Sequence, residues 1–502
     1  MKIKLLQSIV SSSILLFSTA NACTTILVGS DATADQSQFI ARTEDHDPVL
    51  SKVFLVHDSE SINNRIFKAN KNKFQYQLPN KAFKYTSFSD GDTIQSHGEK
   101  LTWGAAGFNE VGVGMTATET IFASDKALKN DPYLVDFGIT EDSIVDVILP
   151  YITTAKDGVE RLGKIIEEKG AGEGFGVAFI DKTSIWYLET GSAHQWVAVK
   201  LPKDKYFVTG NQGRIQYIKT DDKNNYLYSK ELISYAIKNK LYDKDKDGAF
   251  NFEKAYVKHN TNKNGDTYYN YPRVYALQKL FSPNIKTTLS NPSDYLVFQT
   301  PQNKLTLNDV KAGLRNTYEN IGRKPYTKIP DTRIRPISIF RTEESHILQT
   351  RKNLPDTLSN VEYISYGMPS ISMYIPIYTM NITDSNVPLS FKQKTKGEAD
   401  SISAQWKFRK LQSLVMLDYY KYAPIVQKEY RDEESKLNTL QKEMEIKYLK
   451  TYKNNPEEAN KLLVDFQKQA FEMALISTDK LTNEIFSKLT KDINERYLFS
   501  GA

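Results

Sequence analysis

The chain has a single cysteine, Cys23, in 502 residues. No intramolecular disulfide can form, so the fold must be held by its core. There are six histidines, none in a metal-ligand spacing, which argues against zinc and implies no metal site. No stretch approaches the roughly 20 consecutive apolar residues that a membrane-spanning helix needs. Neither sign of charge dominates: Lys and Arg number 66, Asp and Glu 60, and the basic residues are scattered among acidic ones. That pattern describes a solvated surface and not a nucleic-acid groove. The length allows a large core or several domains.

The first 22 residues read as a removable export signal. Lys2 and Lys4 form a charged start, and Leu5 to Phe17 is an apolar run too short and too polar to span a bilayer. Ala20-Asn21-Ala22 is a small-x-small cleavage site. Cleavage there makes Cys23 the first residue of a secreted or periplasmic protein. Its thiol and a free α-amine then share one carbon, and the amine can act as base to its own side chain. The reference pKa values, about 7.7–8.0 for the amine and about 8.5 for the thiol, make that proton exchange nearly level. A lipid anchor is the competing use of such a cysteine. Ala22 suits a lipobox, but Ala20 and Asn21 suit it poorly.

Thr24 to Val28 is β-branched and apolar, Gly29 to Asp35 is turn chemistry, and Gln38 to Asp45 is the return strand. This hairpin brings Arg42 and Asp45 back towards Cys23. A guanidinium beside a thiol favours thiolate, and a carboxylate beside an α-amine orients it. On this basis Arg42→Lys is expected to lower activity more than stability.

These residues resemble the dipeptidase A family, cysteine peptidases of the N-terminal-nucleophile (Ntn) hydrolases. Bile salt hydrolases and penicillin V acylases are relatives with the same Cys, then Arg-x-x-Asp. The resemblance continues through Glu189-Thr190-Gly191-Ser192-Ala193-His194-Gln195-Trp196, Thr209-Gly210-Asn211-Gln212-Gly213-Arg214-Ile215 and Tyr271-Pro272-Arg273-Val274. It extends to Arg335-Pro336-Ile337-Ser338, Glu344-Ser345-His346-Ile347 and Trp406-Lys407-Phe408-Arg409-Lys410-Leu411. It implies an α+β fold, the four-layer αββα Ntn sandwich with a C-terminal helical extension. Residues 23–395 would form the catalytic domain and 396–502 a helical region packed on it.

The activity implied is hydrolysis of dipeptides or short peptides by Cys23 through a thioester, with no cofactor. Arg42, Asp45, Asn211 and Arg273 are the further catalytic candidates, and Thr118, Glu119 and Arg214 the substrate-binding ones. The acylase relatives supply an oxyanion-hole asparagine where this chain has Thr116-Ala117-Thr118-Glu119-Thr120. The resemblance fails there. Backbone amides or Thr118 are left to hold the oxyanion, and Glu119 to bind the free amine of a dipeptide. A homo-oligomer is compatible with all of this. The rival readings are an acylase of a non-peptide amide and a peptide-binding surface lipoprotein.

The remaining expectations concern elements. Val49–His57 is a strand, 59–98 loops and short strands, and 101–119 a hairpin. A helical segment over 142–169 is split at Pro150, and four strands run from 174 to 210. Helices cover 272–281 and 306–318. Strands cover 337–340, 345–350, 361–366 and 371–379, and 384–399 is a loop. Four helices, 401–420, 423–453, 456–477 and 480–497, end the chain. Asp243 to Gly248 imitates a calcium loop, but its twelfth position is Lys254, so it reads as a solvated turn. His194 and His346 read as structural or supporting residues.

Overall fold

A computed structural model describes residues 23–91, 103–259, 265–289, 295–330, 334–395 and 397–499. The expected signal at 1–22, and the parts of the 59–98 loops and the 101–119 hairpin that fall within 92–102, lie outside these.

The chain opens on the expected hairpin, β1 (Thr24–Val28) and β2 (Ser37–Asp45), with Thr25 opposite Arg42. Next comes β3 (Lys52–His57). Four short strands, β4 (Glu60–Ser61), β5 (Ile66–Lys68), β6 (Gln75–Gln77) and β7 (Lys81–Ala82), pair off into two separate ribbons. β8 (Tyr85–Asp90), β9 (Gly104–Phe108) and β10 (Gly114–Thr120) follow. After three helices, Asp125–Leu128, Glu141–Ile148 and Ala155–Lys169, come β11 (Phe175–Ile180), β12 (Ile185–Thr190), β13 (Trp196–Lys200), β14 (Tyr206–Thr209) and β15 (Tyr226–Tyr228). The last strands are β16 (Phe298–Gln299), β17 (Thr342–Arg351), β18 (Asn360–Tyr366) and β19 (Ile375–Tyr378).

They build a seven-stranded sheet, β16-β14-β1-β2-β17-β18-β19, and an eight-stranded one, β15-β13-β12-β11-β10-β9-β8-β3. All pairings within both are antiparallel. With helices elsewhere in the chain, the fold is α+β.

Strand alternation sorts the side chains by face. Ile26, Val28, Phe39, Ala41 and Ile347 of the first sheet share a core with Val274, Leu277, Val310 and Leu314 of helices Tyr271–Phe281 and Leu307–Leu314. Leu27, Ile40 and Leu348 point the other way and cluster with Ala106, Ala178, Ile180 and Tyr187 of the second sheet. The far side of that sheet, with Met115, Ala117, Val177 and Phe179, buries helices Glu141–Ile148 and Ala155–Lys169. Cys23, Arg42 and Thr116 share the parity of the inter-sheet residues, so the candidate site lies between the sheets.

Several elements differ from expectation. Tyr85–Asp90 falls in the stretch expected as loops and short strands, and it is a full strand of the second sheet. Its polar residues are buried and bonded, Ser89 Oγ to Ser87 Oγ at 2.8 Å and Thr86 Oγ1 to Glu362 at 3.1 Å. Residues 337–340 form no strand. Ser338 instead bonds Asn316 O and Ser370 N, tying a packed loop. The loop at 384–399 contains a short helix, Leu389–Lys392, which buries Phe391 against Phe471.

Pro150 splits the 142–169 segment as expected, through a 3-10 turn at Leu149–Tyr151. The C-terminal end has three helices instead of four: Ala404–Met416, Tyr419–Thr451 and an unbroken Pro456–Arg496. Ser477-Thr478-Asp479 looks like a break, yet Ser477 and Thr478 are buried. Thr478 and Thr482 satisfy their hydroxyls on the carbonyls four residues back, so the helix continues. These helices share the core cluster of the seven-stranded sheet. Among the described residues no helix is long and apolar enough to cross a membrane.

Candidate active site

Cys23 sits at the start of β1 and is fully buried. Arg42 Nη1 approaches its Sγ to 3.1 Å. The antiparallel register opposes Thr25 to Arg42, and the period of two puts Cys23, Thr25 and Arg42 on one face.

Arg42 also bridges the sheets. It donates to Thr116 Oγ1 (2.9 Å), Thr118 O (2.9 Å), Ala117 O (2.8 Å), Ala105 O (3.3 Å) and Glu44 (3.1 Å). Burial raises the Cys23 thiol well above its ordinary pKa. Arg42 opposes this, while Glu119, Glu141 and Asp45 add to it. The guanidinium does favour thiolate, as expected, but desolvation outweighs it.

A second guanidinium lies against the same residue's backbone. Arg273, on the helix Tyr271–Phe281, donates to Cys23 O and to Thr24 Oγ1 at 3.0 Å. It also bonds Asn211 Oδ1 (2.8 Å), Asn270 Oδ1 (2.5 Å) and Tyr269 O (2.9 Å). Asn211 stands just past β14. The neighbouring Gly210 is required there, since a Cβ would meet the Arg273 guanidinium at 2.6 Å. Burial, reinforced by Arg335, lowers Arg273 to about 10.

Asp45 accepts from Arg335 and from Thr342 Oγ1. Thr43 Oγ1 links it to the strand that follows Cys23, donating to Asp45 at 3.3 Å and accepting from Thr24 N at 3.2 Å. Tyr269 receives two guanidinium faces, Arg273 at 5.0 Å and Arg335 at 5.1 Å from its ring centre.

Glu119 reaches the inter-sheet space because β10 bulges. Ala117 pairs with Val177 but Glu119 with Gly176, so one extra residue is absorbed between them. Simple alternation would turn Glu119 with Met115 and Ala117 towards the helices, and the bulge re-aims it. Its Oε2 accepts from Thr25 Oγ1 at 2.7 Å. Burial lifts its pKa to about 7 against the pull of Arg273 and Thr25. The Thr118 side chain hydrogen-bonds the buried Glu141, whose pKa burial also raises to about 7.

Arg214 makes its contacts elsewhere. Its guanidinium donates to Leu296 O (2.9 Å) and Tyr295 O (3.4 Å) and pins that loop. His346 supports Arg42 through Thr116 Oγ1 at 2.8 Å, and burial beside Arg42 holds it neutral. His194, 2.6 Å from Asp131, is half-exposed. Glu44, Asp90 and Glu343 converge, but on Lys52 Nζ, whose ammonium stands at their centre. A cavity of about 510 Å³ lies between residues 308–320 and 427–438, lined by Lys311, Arg315 and Glu434, and includes none of the candidate residues.

Thr25, Thr116, Glu141, Asn270 and Arg335 are members of this network that sequence reasoning did not single out. Arg335 had a usable signal, since it opens one of the family-like segments. The others are ordinary polar residues whose burial only the fold reveals.

Residues 22–432 match peptidase family C69. The chain belongs to that family. It is therefore a hydrolase of peptide bonds, and the resemblance seen in its motifs holds. A "Probable dipeptidase" of Salmonella dublin is 49% identical over 358 residues, covering 71% of this chain and 81% of that protein. A "Probable dipeptidase" of Latilactobacillus sakei is 33% identical, covering 72% and 76%. A "Probable dipeptidase B" of Lactococcus lactis is 36% identical over 404 residues, covering 77% and 79%.

Proposed function

We propose that this C69 peptidase is an exported cysteine dipeptidase whose nucleophile is the N-terminal residue left by removal of residues 1–22. The observation that carries the reading is the Cys23–Arg42 contact: the chain's sole thiol lies 3.1 Å from a buried guanidinium between two sheets. The names of the relatives support dipeptides as substrates. Sheets facing each other, with helices on both outer sides, fit the αββα sandwich of the Ntn hydrolases. We take 23–395 as its catalytic part and 396–502 as the helical region packed on it.

In this mechanism the α-amine of Cys23 takes the thiol proton. The thiolate attacks the scissile carbonyl, forming a C–S bond and an oxyanion. Asn211 is assigned to the oxyanion, its amide oriented by the Arg273 bond to Oδ1. Thr118 is the weaker candidate, because its side chain is engaged with Glu141. The C–N bond then breaks and the leaving amine takes the proton back. Water, deprotonated by the freed α-amine, attacks the thioester, and the thiol leaves with that proton. Asp45 and Arg335 position the strand that carries these groups.

The test is a panel of dipeptides, a conjugated bile salt and penicillin V, offered to purified protein beginning at Cys23. Release of free amino acids, abolished by Cys23→Ala, is expected. Cleavage of the conjugates alone would make the protein an acylase, and a lipid-sized mass increment on Cys23 would make it an anchored binder.

A further inference from the structure

We propose that Glu119 and Tyr187 together form the subsite for the free α-amine of the substrate's N-terminal residue, so that the enzyme selects unblocked dipeptides; this rests on the dipeptidase reading above. Glu119 is 1% exposed and Tyr187 2%. One oxygen of Glu119 is held by Thr25, but its Oε1 is buried with no hydrogen-bond partner, and so is the Tyr187 hydroxyl. Buried polar atoms of this kind are uncommon and costly, and a pair at one place points to a ligand that completes them.

The two belong to one place. Glu119 is paired with Gly176 across β10 and β11. A Cβ at Gly176 would lie 2.2 Å from the Tyr187 hydroxyl, so only glycine leaves room for that hydroxyl beside the residue facing Glu119. Among the described residues no cation bonds Oε1, and Arg335, which also acts on this carboxylate, pairs with Asp45. Arg273 and Arg42 act on the same carboxylate. Their donors, however, are committed to Cys23, Thr24, Asn211, Asn270 and the carbonyls of β10.

The two oxygens suit an ammonium group. A carboxylate oxygen and a phenolic oxygen both accept, and an ammonium brings three donors. Position agrees. Thr25, which pins Glu119, stands two residues from Cys23 on the same strand face, about 6.7 Å along it. In a dipeptide only one carbon separates the α-amine from the scissile carbonyl. A carbonyl at Cys23 therefore leaves the amine near Glu119. An N-acyl group removes the charge and adds bulk at the buried end, leaving both acceptors unpaired.

The decisive measurement is calorimetric binding of Ala-Ala and N-acetyl-Ala-Ala to Cys23→Ala protein beginning at residue 23. The free dipeptide should bind at least about tenfold more tightly, and adding Glu119→Gln should remove most of that preference. Tyr187→Phe, which keeps the ring, should reduce it about threefold or more. Equal binding of both ligands, or an undiminished preference in Glu119→Gln, overturns the proposal. If Glu119→Gln does not fold, an unchanged preference in Tyr187→Phe does so alone. The two readings fail separately. Selective binding without hydrolysis by the Cys23 form removes the reaction and keeps the subsite, whereas equal turnover of blocked and free dipeptides removes only the subsite.

Discussion

Arg42 Nη1 lies 3.1 Å from Cys23 Sγ, and neither residue is more than 1% exposed. The same guanidinium holds three carbonyls and a hydroxyl of the facing sheet. It is thus both the partner of the Cys23 thiol and a bridge between the sheets.

Arg42→Lys should accordingly cost stability as well as activity, contrary to what the sequence alone suggests. A lysine has no planar fork to reach six acceptors. Breaking such a buried network costs about 3–5 kcal/mol, and activity should fall about 100-fold. Urea melts and kcat/KM on a dipeptide test this together. An unchanged melt with reduced activity would confine Arg42 to the nucleophile.

Cys23→Ala should abolish dipeptide hydrolysis and change stability by only about 1 kcal/mol, since a small buried group is lost. Cys23→Ser should keep a trace of activity. Full turnover by the alanine variant would end the nucleophile assignment.

Glu362 gives a pH test away from Cys23. Burial lifts its carboxyl to about 8, against the Thr86 hydroxyl, from an unfolded value near 4.5. Between these values the folded state binds the extra proton, so stability falls as pH rises from 4.5 to 8. Glu362→Gln should remove that loss. Relative to the native protein, the variant should gain a few kcal/mol between pH 5 and pH 8.5. Glu119, Glu141 and Glu189 shift in the same direction, so the difference between the two proteins is the quantity to measure. A difference that stays flat with pH would show that Glu362 is ionised in the fold.

Glu434 ties the helix Tyr419–Thr451 to the rest of the chain. It accepts from Arg315 (2.6 Å), Lys311 (3.3 Å) and Tyr374 N (2.7 Å). Burial works against its charge, yet Arg315 and Lys311 hold it down at about 2. Its contribution is therefore present above pH 4.5 and is lost as pH falls towards 2. Glu434→Gln should destabilise by about 3–5 kcal/mol at neutral pH by stranding two buried cations. An unshifted thermal melt would show that the ion pairs carry no net stability.

Processing offers the sharpest test of the mechanism. With residues ahead of Cys23 its nitrogen is an amide and has no basic lone pair, although the thiol is unchanged. Protein beginning at Cys23 should hydrolyse dipeptides, and a stably extended form with matched circular dichroism should not. Equal turnover, with the extension confirmed by intact mass after the assay, would require a base other than the α-amine.

The sequence by itself determined the parts of this protein that are local. The Cys23 hairpin, the break at Pro150 and the helical end are legible because β-branching, turn residues, proline and a 3.6-residue period act over a few positions. The approach of Arg42 to Cys23 is legible too, since a hairpin register places them by counting. What only the tertiary structure decided comes from pairing between distant strands. The bulge in β10 turns Glu119 inward where alternation would turn it outward. Tyr85–Asp90 becomes a strand because its polar side chains find buried partners. Arg214, near Asn211 in sequence, serves the 295–296 loop, and Tyr187 comes beside Gly176, the residue opposite Glu119, only through the pairing of β11. Each depends on which segments meet across tens or hundreds of residues, and local composition carries no record of that.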